Sequence, residues 1–271
     1  QYRVKYAFFV PAVILFLNSV PGVNERDFSN LSMILYGASP ISEEVLLTAK
    51  GIFKCNFCQV YGLTETSGGG TILPPEDHDP ARGKLRSCGK PPATAQVRIL
   101  GADGHDAAAN EVGEILYRSG SLMKGYWKND EATAKAIKDG WFYTGDAGYL
   151  DDEGYLYIHD RIKDMVVSGG ENIYPAEVEN ALFAHDAVAD AAVIGVPDDR
   201  WGEAVKAVVV LKPGKTATEE DIIHFVKSKI AGYKVPKTVD FVTALPRNPT
   251  GKLLKRELRA PYWEKQGRQI N

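Results

Sequence analysis

LSMILYGASPISEEVLLTAKGIFKCNFCQVYGLTETSGGGT, residues 31–71, is the stretch whose reading decides the fold. Leu31–Ala38 is a short apolar run closing on Gly37, the pattern of a buried strand. Ser42 is placed to cap a helix over SEEVLLTAKGIF, because its hydroxyl can accept from an orphaned N–H of the first turn. NFCQVYGLTET then reads as a second strand running into a polar turn. Strand, helix and strand in that order predict an α/β layer.

Upstream, Arg3 and Lys5 precede AFFVPAVILFL, which imitates a secretory signal. No small-x-small cleavage site follows, Pro11 interrupts the run, and eleven residues are too few to cross a bilayer. It reads instead as a buried core segment. The chain opens on Gln1 rather than Met, which reads as a fragment.

Downstream, residues 84–160 change character. AQVRIL, GEILYRSG, WFYTGDAGYL and YLYIHD are short strands, and the turn DDEG joins the last two as a hairpin. Residues 164–271 change again: MVVSG, AAVIGV and AVKAVVVL are strands, and Pro175 suits the first turn of helix AEVENALFAH. EEDIIHFVKSKI is an amphipathic helix with apolar residues at 222, 223, 226 and 230. This last section is an α+β module of about a hundred residues.

The 271 residues, 44% apolar and 25% charged, are ordinary for a globular protein with more than one compact unit. A net charge of -3 gives no general reason to expect nucleic acid or an anionic membrane. Locally, Lys234–Asn271 holds nine Lys/Arg against three Asp/Glu, either a solvated helical face or a docking surface for a polyanion. Three cysteines without framework spacing indicate a reducing, cytoplasmic setting. Cys55 and Cys58 form a lone C-x-x-C, and a zinc or redox site would have to recruit Cys88 and His78; buried reduced thiols are the better reading. His78, His105, His159, His185 and His224 have no catalytic spacing, and G-x-S-x-G and H-E-x-x-H are absent.

Four segments can carry chemistry. RNPTGKLLKREL contains Gly251-Lys252 but fails as a Walker loop, because Pro246 and Leu253 stand where Gly and Ser/Thr are required. Lys252 instead sits on a Pro249-Thr250-Gly251 bend that could project one cation. In YGLTETSGGGT, Tyr61 offers a flat face for a base, Thr64 a hydroxyl for an anion, and Glu65 an oxygen ligand for Mg²⁺. Asp146 in YTGDAGYL could accept two hydrogen bonds from a ribose diol. Arg161 is a rigid donor fork, and Ser168-Gly169-Gly170 permits close backbone approach. Taken singly, each is also compatible with an ordinary turn or surface ion pair.

In order, YGLTE, GWFYTGD, DRIKDMVVSGGENIYPAEVE and PRNPTGKLLKREL form a specific set. Over essentially its whole length the chain resembles the C-terminal half of the adenylate-forming superfamily, which includes acyl-CoA synthetases, aryl-CoA ligases, luciferases and peptide-synthetase adenylation domains. The fatty-acyl- and aryl-CoA ligase branch is the most similar.

The resemblance implies the end of an α/β layered domain (1–83), a mainly β, barrel-like subdomain (84–162), and a small mobile α+β domain (163–271) hinged at Lys163. It implies activation of a carboxylic acid by ATP with Mg²⁺, then acyl transfer to coenzyme A. By motif, Gly37 and Ala38 would line the adenine and acyl pocket, and Tyr61 would stack on adenine. Thr64 would contact the α-phosphate, Glu65 the Mg²⁺, and Asp146 and Arg161 the ribose. Lys252 would reach the α-phosphate and acyl carboxylate. Ser168, Gly169 and Gly170 would flank the pantetheine tunnel, with Trp201, Tyr233 and Lys237 near the CoA nucleotide.

The superfamily's phosphate loop and the following His-containing segment are absent from this chain. Residues 1–271 alone are therefore expected to have little ligase activity. A homodimer is compatible with the resemblance. The competing readings are an aryl-acid ligase and a non-catalytic AMP- or CoA-binding module; a nucleic-acid protein lacks any stacking or groove-reading motif.

Overall fold

Strands β1 (Tyr6–Phe9), β2 (Met33–Gly37), β3 (Asn56–Tyr61) and β4 (Thr71–Leu73) form one sheet in that order, the first three parallel and β4 antiparallel. A computed structural model describes residues 3–39, 41–248 and 253–264. Helices α1 (Pro11–Asn18) and α2 (Glu43–Phe53) join the parallel strands. Ser42 caps α2 through Val45 N at 3.3 Å, Glu43 and Glu44 favour its N-terminal dipole, and Lys54 ends it at φ +49°. Leu46, Ala49 and Phe53 recur on one helical face and pack with Ile34, Tyr36, Phe57 and Ile14. Each large side chain buried there contributes roughly 1.5–3 kcal/mol.

The N-terminal apolar run departs from the expected buried segment. It is a strand and a helix of which Pro11 and Ile14 are buried, while Tyr6, Phe8, Leu15 and Phe16 are 56–67% exposed. The reason is local: β1 is an edge strand, and α1 carries apolar residues on every side but has one face against α2.

A second, antiparallel sheet holds β5 (Ala95–Leu100), β6 (Gly113–Ser119), β7 (Ile137–Lys138), β8 (Trp141–Leu150) and β9 (Leu156–Arg161). Its order is β5-β6-β8-β7, with β9 also on β8, and α3 (Asp130–Ala136) precedes β7. Asp151 makes the β8–β9 turn by accepting from Glu153 N and Tyr155 N at 3.0 and 2.9 Å.

The chain divides into two compact units, Gln1–Ile158 and His159–Asn271. In the second, β10 (Val166–Ser168), β11 (Glu171–Ile173), β12 (Val188–Asp198) and β13 (Gly202–Leu211) run in the order β11-β10-β13-β12. β14 (Thr238–Phe241) lies parallel to β13. Helices α4 (Pro175–Phe183) and α5 (Glu219–Lys227) cover one face through Val178, Leu182, Ile222 and Val226. Leu258 and Tyr262 of α6 (Lys255–Trp263) cover the other, over Ile194, Val196 and Val208. Both faces being buried explains why β12 and β13 read as nearly continuous apolar runs. Lys206 is the exception, and its charge is answered by Asp240 at 2.6 Å.

Candidate active site

The turn after β3 is shaped by close backbone approach. A Cβ on Gly62 would lie 2.5 Å from Gly68 O, and one on Gly70 would lie 2.2 Å from Tyr61 O. Thr66 Oγ1 accepts from Leu63 N and donates to Leu63 O, both at 3.0 Å, closing the turn that carries Thr64 and Glu65. Ala38, at φ +70°, faces this turn across an open cleft of about 520 Å³ whose lining includes Phe8, Val60, Gly62, Leu63 and Thr64. Gly37 sits behind it, where a Cβ would come within 2.1 Å of Val60 O.

Tyr61 and Asp146, 85 residues apart, meet: the phenol donates to Asp146 Oδ2 at 2.7 Å. Burial and the nearby carboxylate push the Tyr61 pKa far up, so its hydroxyl keeps its proton. Asp146 is 5% exposed. Its backbone N–H is held by Thr144 Oγ1 at 3.1 Å, and Thr144 in turn donates to Ile115 O at 2.7 Å. A flat aromatic face and a carboxylate are thus fixed to each other on a rigid sheet, an arrangement suited to a nucleoside.

Glu65 is half-buried, and its Oε1 accepts the Tyr126 hydroxyl at 2.8 Å. Met123 N binds the Glu65 carbonyl at 2.7 Å. Tyr126 had no signal in the sequence, because a tyrosine in a loop 61 residues away gives no periodicity to read. Among the described residues no cluster of three or more His, Cys, Asp or Glu could cage a metal. A single oriented carboxylate fits Mg²⁺, which commonly takes one or two carboxylates and completes its shell with substrate phosphates and water.

The second unit holds the remaining candidates. Gly169 and Gly170 adopt φ +62° and +86°. Gly169 N donates to Trp201 O at 2.9 Å, and a Cβ on Gly169 would lie 2.7 Å from Trp201 Cε3. Ser168 pairs in register with Gly202 beside them. Trp201 is 43% exposed, with the Arg200 guanidinium over its ring. Tyr233 and Lys237 are exposed, and Lys237 N is tied to Val205 O. The Arg161 backbone N–H is bound by Asp160 Oδ1 at 2.7 Å. Lys163 is exposed, but its carbonyl accepts from Arg259 Nη1, whose other terminal nitrogen pairs with Asp164 at 2.7 Å. Lys252 and the Pro249-Thr250-Gly251 bend lie outside the described residues.

The basic C-terminal stretch is partly neutralised within the fold: Lys234, Arg247, Lys255 and Arg259 pair with Glu177, Asp190, Glu179 and Asp164. Cys58 and Cys88 are buried and Cys55 is half-buried. Burial raises the Cys88 thiol from 9.0 to about 12. His78 is committed through both ring nitrogens, to Tyr36 Oη and Pro74 O, each at 2.9 Å.

Residues 1–127 match the family description "AMP-binding enzyme", and residues 177–252 match "AMP-binding enzyme C-terminal domain". The chain is 41% identical to the fatty acid–[acyl-carrier-protein] ligase ScoC of Streptomyces coeruleorubidus, over 97% of this chain and 50% of the relative. It is 41% identical to a feruloyl-CoA synthase of Amycolatopsis, over 97% of this chain and 52% of the relative. The ATP-bound structure of MatB from Rhodopseudomonas palustris superposes with a TM-score of 0.88 at 32% identity, over 96% of this chain and 51% of that one. The chain spans about half the length of the curated relatives it matches. With both family descriptions matched in chain order, and with the fold of a solved ATP-bound relative, the chain belongs to the AMP-binding enzymes, the adenylate-forming ligase family.

Proposed function

We propose that this chain supplies the nucleoside-binding face and the small C-terminal domain of an ATP-dependent acid–thiol ligase. The observation that carries the reading is Tyr61 locked to buried Asp146, with Thr64 and Ala38 lining the adjacent cleft in the same unit. Gly37 and Ala38 border adenine, the Tyr61 ring stacks on it, and Asp146 with Arg161 holds the ribose hydroxyls. Thr64 contacts the α-phosphate.

In the first half-reaction a carboxylate oxygen of the substrate attacks the α-phosphorus of ATP. The bond to the β-phosphate oxygen breaks, and pyrophosphate leaves with the electron pair. Negative charge gathers at the α-phosphate and the leaving group, where Lys252 stabilises it. Mg²⁺ bound by Glu65 would neutralise phosphate charge. In the second half-reaction a thiol sulfur attacks the acyl carbon, AMP departs, and the thiol proton is released. Ser168, Gly169 and Gly170 line the thiol's approach, with Trp201, Tyr233 and Lys237 near the acceptor's nucleotide. Rotation about Lys163 exchanges the groups presented to one reacting centre.

Coenzyme A is the proposed acceptor, as for the feruloyl-CoA synthase, and a fatty acid the proposed substrate, as for ScoC. The test uses the protein in its complete reading frame. Lys252→Ala should lower pyrophosphate exchange by ~10²–10³-fold, while thioester formation from supplied acyl-adenylate is largely spared. Equal loss in both half-reactions refutes the role of Lys252. A panel of fatty and aryl acids, each offered coenzyme A or a carrier protein, decides the substrate pair.

A further inference from the structure

The segment bearing Lys252 leaves the second unit's sheet after β14 and returns to it at α6, and both of its stems are anchored. Leu245 is 8% exposed and Leu253 packs in the same apolar cluster as Ile194 and Val208. Arg247 and Leu253 form an isolated antiparallel bridge, and Leu254 N donates to Pro246 O at 2.9 Å. On the outgoing stem Arg247 Nη2 contacts both oxygens of Asp190, at 3.0 and 2.7 Å. On the returning stem Lys255 Nζ lies 2.9 Å from Glu179 Oε1 and 3.4 Å from Asp160 Oδ2.

The Lys255 group is an unusual use of charge. The side chains of Lys255, Asp160 and Glu179 are 11%, 11% and 15% exposed. The two carboxylates are themselves fixed by backbone donors: Val193 N on Glu179 at 2.8 Å, and Arg161 N and Ala176 N on Asp160 at 2.7 and 3.0 Å. Burial opposes the Lys255 charge, yet Glu179 and Asp160 outweigh it and its pKa is raised. Charge-assisted contacts of this kind fix direction as well as distance. Only three positions separate Lys255 from Lys252, and consecutive Cα atoms are about 3.8 Å apart.

We propose that these two ion-pair clamps form the neck of the Lys252 loop and that Lys255 is a positioning residue, setting where Lys252 can reach. The proposal rests on the reading of Lys252 as the adenylation lysine. The described residues on either side, Leu245–Arg247 and Leu253–Lys255, are bridged, packed and ion-paired in place. Lys255 does not touch substrate. It acts through the stem that carries Lys252.

The test has two arms. In the first, amide hydrogen exchange of residues 248–254 is followed in the 271-residue chain, with α5 as the internal control. Lys255→Met and the paired Lys255→Met/Glu179→Gln variant should each speed loop exchange by about tenfold or more, the change expected when a charge-assisted contact is removed from a local opening. Asp190→Asn, on the more exposed clamp, should give a smaller increase and covers the case in which Lys255 variants fail to fold. Exchange in α5 should not change. Unchanged loop exchange, or equal acceleration in α5, overturns the neck.

In the second arm, with the complete reading frame, Lys255→Met should lower pyrophosphate exchange and spare thioester formation from supplied acyl-adenylate, and Lys255→Arg should recover part of the loss. Equal loss in both half-reactions overturns the positioning role. If the unsubstituted protein shows no pyrophosphate exchange, the reading of Lys252 falls, and loop exchange still decides the neck.

Discussion

Gly169→Ala and Gly170→Ala form a matched pair that separates backbone strain from a specific contact. Both glycines have positive φ, +62° and +86°, so an alanine at either pays the left-handed penalty of roughly 1–2 kcal/mol. Both substitutions also stiffen the unfolded chain to a similar degree, which recovers about 0.4–1 kcal/mol. The difference lies in space. A Cβ on Gly170 meets nothing within 4 Å, whereas one on Gly169 would lie 2.7 Å from Trp201 Cε3 and 3.2 Å from Cζ3. The ring is partly exposed and can give way, so the overlap should cost about 1–3 kcal/mol, toward the lower end. Gly169→Ala should therefore destabilise the chain by about 1 kcal/mol more than Gly170→Ala, a Tm difference of a few degrees. Urea melts measure it, and Trp201→Ala supplies the control by removing the overlap: the gap between the two variants should then close. Equal losses in the parent, or a gap that survives Trp201→Ala, would refute the argument from close approach.

Three further outcomes follow from the contacts of buried and half-buried polar groups. Tyr61→Phe keeps the ring but removes a donor from a buried carboxylate, and should cost ~1.5–3 kcal/mol in denaturant melts; with Asp146→Asn in a double-mutant cycle the two losses should be non-additive, and additivity would separate the residues. On the proposed Mg²⁺ role of Glu65, Tyr126→Phe should raise the Mg²⁺ concentration needed for half-maximal nucleotide binding by severalfold, because Glu65 loses the hydroxyl that orients it; unchanged Mg²⁺ dependence, measured by calorimetry, would remove Tyr126 from that role. Stability should fall in alkali: Cys88 titrates at 9.0 when unfolded and about 12 when folded, so its contribution is complete below pH 9 and is lost as pH rises toward 12. Tyr61, raised above 10.0, acts in the same direction above pH 10, and a flat melting temperature from pH 8 to 11 would contradict both.

The elements were legible wherever local chemistry determines them. Ser42 announces α2, Pro175 opens α4, and the Asp151 turn joins β8 to β9, because caps and turns are short-range hydrogen-bond problems. The apolar positions of α5 were equally plain, since a 3.6-residue period survives in sequence. The start of the chain was misread because hydrophobicity reports a preference for burial and says nothing of which neighbours are present to provide it. Phe8 and Phe16 are as apolar as Ile14, yet they stand at an edge and on a helix face with no described neighbour to bury them. The candidate site residues follow the same division. Tyr61, Glu65 and Asp146 are each singled out by a short motif, but their hydrogen-bond partners Tyr126 and Thr144 depend on which segments the sheets bring together.

The basic C-terminus shows how far composition can be pressed. Nine cations against three anions over Lys234–Asn271 leave two readings open, a solvated helical face or a docking surface for a polyanion. The missing anions come from elsewhere in the same unit: Glu177 and Glu179 from α4, Asp190 from β12, Asp160 from the end of β9 and Asp164 from the turn after it. Counted by position in sequence the stretch is strongly basic; counted by position in space, four of its cations already face carboxylates. Charge used in this way fixes α6 and the two stems of the Lys252 loop, and it leaves less of the tail for diffuse attraction. Raising the salt concentration should accordingly weaken any nucleotide affinity of this unit much less than a nine-charge surface would require, because paired and partly buried charges are poorly screened. A steep salt dependence, measured by titrating a nucleotide at two ionic strengths, would mean that the tail acts as an open polycation after all.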